Sequence, residues 1–187
     1  MSYQDTWLDG KAIAKGYREC ASRYEVVRDF CSKLPTPFSV LDIGANQCYF
    51  GLRLTEDFNC SVLAFEYSAF AKRYAHVKRA DKTGRLKLCN RKVSLSDVQF
   101  MSSFAQFDLI LTLSLLHHVG GKFDEWIAAL RRLGSNVIAE LSTEDCRSKK
   151  LPEGYRVPAD SIILGYCGSH IKKEVSRPLV LIEGDSV

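Results

Sequence analysis

The stretch Val40-Leu41-Asp42-Ile43-Gly44-Ala45-Asn46 decides how this chain is read. Phe38 to Ile43 is a compact apolar run, the pattern of a parallel strand buried on both faces. The run carries an acid near its end, and Gly44 lets the backbone turn closely beneath a ligand. In an open α/β sheet, ligands bind beyond the carboxyl ends of the strands. The turn is therefore the expected floor of a site. Asp42 suits a cationic group such as an ammonium, and backbone N–H groups at the turn and the next helix start suit a carboxylate.

Outward from this turn the chain alternates. Before it, residues up to about Leu34 read as helical, with Ala12, Ile13, Tyr17, Cys20, Ala21, Tyr24, Val27 and Phe30 at helical intervals. Pro35 and Pro37 end that segment. After it come a short helix from Tyr49 to Phe58, a strand over Ser61–Glu66 and a helix from Ser68 to Val77. A weak strand over Leu86–Cys89 follows, then a strong one over Phe107–Leu113, a helix over Phe123–Leu133 and a strand over Asn136–Leu141. Such alternation predicts an α/β fold with a mostly parallel sheet. Ser142 to Pro158 reads as a loop, and Ile162–Tyr166 with Pro178–Ile182 as an antiparallel hairpin closing the sheet edge. The expected division is one domain over 1–187, with an N-terminal helical cap (1–37), a binding core (38–141) and a closing loop and hairpin (142–187).

A second acid, Glu66, ends the next strand, where a carboxylate can accept two ribose hydroxyls. A dinucleotide site uses an acid there too, but it also needs three glycines as G-x-G-x-x-G. Here Gly44-Ala45-Asn46-Gln47-Cys48-Tyr49 has one glycine, and Asp42 would repel a pyrophosphate. The fourth-strand element, Phe107 to Val119, runs to the same end of the sheet and stops at Ser114-Leu115-Leu116-His117-His118. Neighbouring side chains diverge, so one histidine at most is expected to face a reacting centre.

The residues VLDIGANQCYF, the acid in LAFEYS, and FDLILTLSLLHHV together resemble class I S-adenosylmethionine (SAM)-dependent methyltransferases over about Val40 to Leu141. Cys48 departs from the glycine many such enzymes carry. A narrower resemblance, to the methyltransferase part of the bacterial kinase–methyltransferases that terminate O-antigen glycans, adds Ala21-Ser22-Arg23-Tyr24, VIAEL, Gly165–His170 and Ser176–Leu179. The resemblance implies a Rossmann-like fold with SAM as cofactor, and Tyr3 and Arg23 as residues that help hold it. The expected cofactor-contacting set is Tyr3, Arg23, Asp42, Gly44, Ala45, Asn46, Tyr49, Phe50, Glu66, Tyr67, Val93, Ser94, Leu113 and Ser114. That family methylates a terminal phosphate, but an acceptor does not transfer with a fold.

Methyl transfer from SAM chiefly requires alignment of an acceptor with the sulfonium. A hydroxyl acceptor benefits from a base, for which His118, Glu140 and His170 are candidates. His117 and Arg177 are candidate acceptor-binding residues, with Arg147, Lys172 and Lys173 as further cations that would suit an anionic acceptor. The expected partner is a small molecule or glycan offering an oxygen, hydroxyl or phosphate. RNA methylation and non-catalytic SAM binding are the alternatives. Against RNA, the net charge of +4 is mild and no aromatic-basic stripe appears. Seven cysteines without a CxxC pair predict reduced structural thiols and no metal site. With no membrane-length apolar run and no signal-peptide pattern, a cytoplasmic location is the expectation.

Overall fold

Strands whose residues are buried almost throughout mark a sheet covered on both faces. β6 (Leu109–Leu113) is buried at every position, and β3 (Phe38–Ile43) and β7 (Asn136–Glu140) nearly so. The computed structural model describes residues 3–67, 70–120, 122–142, 151–167 and 177–185. With β4 (Cys60–Glu66), β5 (Leu86–Asn90), β8 (Ile162–Cys167) and β9 (Arg177–Glu183), these strands form one sheet in the order β5-β4-β3-β6-β7-β9-β8. The pairs β5–β4, β4–β3, β3–β6 and β6–β7 are parallel. β9 pairs antiparallel with both β7 and β8. The chain is thus a Rossmann-like α/β fold whose parallel sheet is closed by an antiparallel hairpin, as the sequence predicts.

Helices cover both faces. α1 (Ala21–Cys31) and α2 (Tyr49–Asp57) bury Tyr24, Val27, Phe50, Leu52 and Leu54 in one apolar cluster, with Val77 and Ala80 of α3 (Phe70–Ala80). α4 (Leu95–Met101) and α5 (Phe123–Leu133) bury Val98, Trp126, Ile127 and Leu130 in the other. The sequence reading placed no helix at α4. Its signal was a short capping box, in which Ser94 accepts from the Asp97 N–H while Asp97 accepts from the Ser94 N–H.

The opening segment is the clearest departure from expectation. Only Ala21–Cys31 of it is α-helix; Thr6–Leu8 and Lys11–Ala14 are the strands β1 and β2 of an antiparallel hairpin. Asp9 (φ 50°) and Gly10 (φ 72°) make its turn. An Asp-Gly pair with both residues at positive φ is the preferred two-residue hairpin loop, and that outweighs loose helical spacing of small apolar residues. Ala12 and Ile13 are exposed rather than packed. The cysteines behave as expected: Cys20, Cys31, Cys48, Cys60 and Cys167 are buried free thiols and Cys89 is half-buried, while Cys146 lies outside the described residues.

Gly184 closes the sheet. Its N–H donates to Ser135 O at 2.8 Å, and a Cβ there would lie 2.0 Å from the Gly134 carbonyl oxygen. Gly184→Ala is expected to cost about 1–3 kcal/mol by forcing backbone apart. Urea denaturation reads this directly, and an unchanged midpoint would show that the exit of β9 tolerates a side chain.

Candidate functional site

The strand order reverses direction at β3: the chain steps outward through β4 and β5, then returns to add β6 on the other side. A crevice opens at the carboxyl ends beside such a switch point. Here it holds a cavity of about 800 Å³, within the range of small-molecule sites, about 300–1,000 Å³. Its walls bring together Tyr3, Gly44, Asn46, Glu66, Tyr67, Val93, Ser94, Leu113, Ser114 and His118 from the expected set. Leu115, at the expected end of the fourth-strand element, lines it too; Val119 and Trp126 add apolar surface, and Arg91 and Lys92 basic surface, that no local pattern in the sequence marked.

The floor is the turn after β3. Gly44, Asn46 and Cys48 have φ of 79°, 51° and 55°. A Cβ on Gly44 would meet the Leu115 side chain at 3.2 Å in addition to its backbone strain. Cys48 tolerates the left-handed conformation that many class I sequences give to glycine, at a cost of about 1–2 kcal/mol. Its thiol is buried, and burial, then Asp42 and Glu66, push its pKa well up, so it is an inert filler.

The turn's amides are not directed at a ligand carboxylate, contrary to expectation. Gly44 and Ala45 N–H donate to Phe65 O at 2.9 and 3.0 Å, and Cys48 N–H to Ala45 O at 2.8 Å. Asn46 N–H donates to Glu66 Oε2 at 3.0 Å. Gln47 and Tyr49 N–H donate to the Gln4 side chain. The polar groups that the turn leaves to the cavity are therefore side chains.

Two acids dominate it. Glu66 lines the cavity, held by the Tyr67 N–H at 2.8 Å and by Arg73 at 3.1 Å. Asp42 lies below the turn, buried, and its Oδ2 has no hydrogen-bond partner among the described residues. Burial first, and Glu66 second, raise its pKa to about 7. Ala45, Tyr49 and Phe50 are buried and absent from the cavity walls. Tyr49 instead packs edge-on with Phe50, Trp7 and Tyr24, and Phe50 packs tilted against Tyr24, because the helix face they occupy points into the core.

Of the adjacent histidines, His118 lines the cavity, while His117 is buried, its ring centroid 3.9 Å from that of His118. Ser114 begins their turn with φ 59°, a strained conformation for a serine. His170 lies outside the described residues.

Glu140 requires correction. It is fully buried and paired with Arg18 at 2.5 Å, Arg23 at 2.8 Å and Arg177 at 3.5 Å. Burial alone would raise its pKa, but Arg23 and Arg18, then Ser114 and Arg177, hold it below the usual range. A carboxylate bound this way is an anchor for guanidiniums and a poor base. The same contacts reassign Arg23, which is completely buried against Glu140 and donates to Glu19 O at 2.7 Å. Arg177 reaches Ser114 Oγ at 3.3 Å from behind the cavity wall. Arg18 was missed because nothing in its local pattern distinguishes it from a surface arginine; only the fold brings it to Glu140. Tyr3 flanks the network on the cavity side, and burial, then Glu140, raise its pKa so that the phenol stays protonated.

No family model and no curated protein matches the sequence. Solved structures do match in fold. Monomeric WbdD superposes with a TM-score of 0.66 at 18% identity, over 92% of this chain and 43% of that one. The N-terminal domain of EvdMO1 with SAH bound gives 0.67 at 15% identity, over 98% and 92% respectively. The putative methyltransferase yhhF from Escherichia coli gives 0.62 at 14% identity, over 99% and 100%. The chain thus has the class I methyltransferase fold, and it spans less than half the length of WbdD.

Glu140→Ala leaves three guanidiniums without their shared carboxylate and is expected to cost about 3–5 kcal/mol. The acid's lowered pKa gives the sign with pH: its stabilisation is complete above its unfolded-state value and is lost as pH falls through the folded one. Denaturation of the wild type and Glu140→Gln across the acid range checks this. The variant should lose less stability on acidification, and parallel curves would contradict the ion cluster.

Proposed function

We propose that this chain is a SAM-dependent methyltransferase acting on an oxygen of a small molecule or glycan. The observation that carries the reading is a pair of carboxylates at the switch point of a class I methyltransferase fold, Glu66 in the cavity wall and Asp42 buried beneath the turn that floors it. The donor fits the residues present. The partnerless Asp42 Oδ2 is costly where it stands, and a ligand ammonium nearby relieves that cost directly or through water. Glu66, which stands in the cavity wall beside Arg73, suits the ribose hydroxyls. The apolar side chains of Val93, Leu95 and Leu113 line the cavity and suit a flat base.

SAM supplies a methyl group already activated on sulfur, so the protein's task is alignment and exclusion of water. Ser114, Leu115 and His118 line the same cavity as Glu66, and the acceptor belongs beside them. With Glu140 held by arginines, His118 is the remaining described candidate to take a hydroxyl proton. A sugar oxygen as acceptor draws support from EvdMO1, whose N-terminal domain was crystallised in the presence of SAH and D-fucose. The Arg177–Ser114 contact adds a positive potential behind the same wall.

Glu66→Ala and Asp42→Ala are each expected to abolish SAH binding in calorimetry while the protein stays folded; retained affinity in either would refute the site. Asp42 also sets a pH dependence. Its carboxyl titrates near about 7, so below that value an ammonium meets a neutral acid, and above it a carboxylate. Affinity for SAH should therefore rise between about pH 6 and 8, with proton release on binding. Asp42→Asn should flatten the rise, and an identical profile in that variant would contradict the pairing. For a hydroxyl acceptor, His118→Ala is expected to slow turnover by about 10²-fold or more with little change in SAH affinity. A wild-type rate would point to an acceptor already ionised.

A further inference from the structure

The first turn of α2 lacks a cap of its own. Cys48 occupies the capping position in a left-handed conformation, and its side chain makes no capping hydrogen bond. The first amides of a helix need acceptors from somewhere, and here the acceptor arrives from the far end of the chain. Gln4, 3% exposed, places its side-chain Oε1 within 3.2 Å of Gln47 N and 3.4 Å of Tyr49 N.

Gln4 is itself fixed by the hairpin base. Arg18 N–H donates to Tyr3 O at 2.9 Å, and Gly16 N–H to Asp5 Oδ1 at 2.7 Å. The two segments approach so closely that a Cβ on Gly16 would lie 2.3 Å from the Gln4 carbonyl carbon. On one side of Gln4, Tyr3 forms part of the cavity wall. On the other, Trp7 of β1 donates to Glu56 of α2 at 2.8 Å and lies under Arg53, whose guanidinium carbon is 4.6 Å from its ring centroid. The hairpin thus spans from the cavity wall to α2, and the Gln4 amide oxygen ties it to the floor turn.

We propose that Gln4 is a latch that clamps the N-terminal hairpin onto the floor turn, a positioning residue that makes the hairpin a gate on cofactor release. The inference rests on the donor site proposed above. Loss of the Gln4 oxygen frees the Gln47 and Tyr49 amides, loosens the turn that carries Asn46, and lets Tyr3 swing from the wall. Glutamate at this position keeps an acceptor oxygen for the same two amides, whereas alanine keeps none.

The test compares wild type, Gln4→Ala, Gln4→Glu and Gly16→Ala in two measurements. Hydrogen exchange without ligand reads the latch. The Gln47 and Tyr49 amides should exchange about tenfold faster or more in Gln4→Ala and Gly16→Ala, with Gln4→Glu close to wild type. Stopped-flow release of SAH and the kinetics with SAM read the gate. Gln4→Ala should release SAH about tenfold faster and raise the KM for SAM in proportion at an almost unchanged kcat, with rescue by Gln4→Glu. Unchanged exchange at those amides overturns the latch, and unchanged SAH release overturns the gate. A fall in kcat without a change in KM also counts against it. A wild type that binds no SAH refutes the donor assignment and the gate together, while the exchange comparison still decides the latch.

Discussion

A single buried carboxylate organises this molecule. Glu140 ends β7, an interior strand of the sheet, and three guanidiniums converge on it: Arg18 from the exit of the hairpin, Arg23 from α1 and Arg177 from the start of β9. None of these groups could be buried alone, because an uncompensated charge costs several kcal/mol in the interior. Their mutual dependence fixes where the N-terminal segment, the first helix and the closing strand meet. Ser114 and Tyr3 extend the network to the cavity wall.

The turn after β3 obeys a second constraint, the satisfaction of its own backbone. Three left-handed residues at Gly44, Asn46 and Cys48 turn the amides inward, where Phe65, Glu66, Ala45 and Gln4 accept them. A turn closed in this way presents a fixed surface without offering donors of its own. Two carboxylates stand beside it, Glu66 in the wall and Asp42 beneath. The strain at these positions and at Ser114 is concentrated around one cavity, as expected where a backbone is shaped for a ligand and held by its surroundings.

Much of this was legible in the chain. The apolar run ending at Asp42, the acid at Glu66 and the fully buried strand leading to Ser114 are local patterns, and they specify strands, a switch point and a pair of acids. The Asp9-Gly10 turn is equally local, but the helical spacing of Ala12, Ile13 and Tyr17 predicts helix across it. Those residues are exposed or half-buried, so their spacing carried no packing information. The α4 helix was hidden for a related reason: seven residues give too few turns for a period to emerge.

The partners of Glu140 and Gln4 were not legible. Arg18 lies 122 residues from the acid it neutralises, and Gln4 lies 43 and 45 residues from the amides it accepts. No periodicity links such positions, and an arginine or glutamine in a polar segment reads as surface. Sequence alone determined Val40–Asn46 as a strand and its turn, because burial on both faces and the need for a tight bend restrict residue type at each position. Tertiary structure alone decided what that turn faces. Its amides take whichever acceptor the fold delivers, and here the fold delivers Gln4 and Glu66.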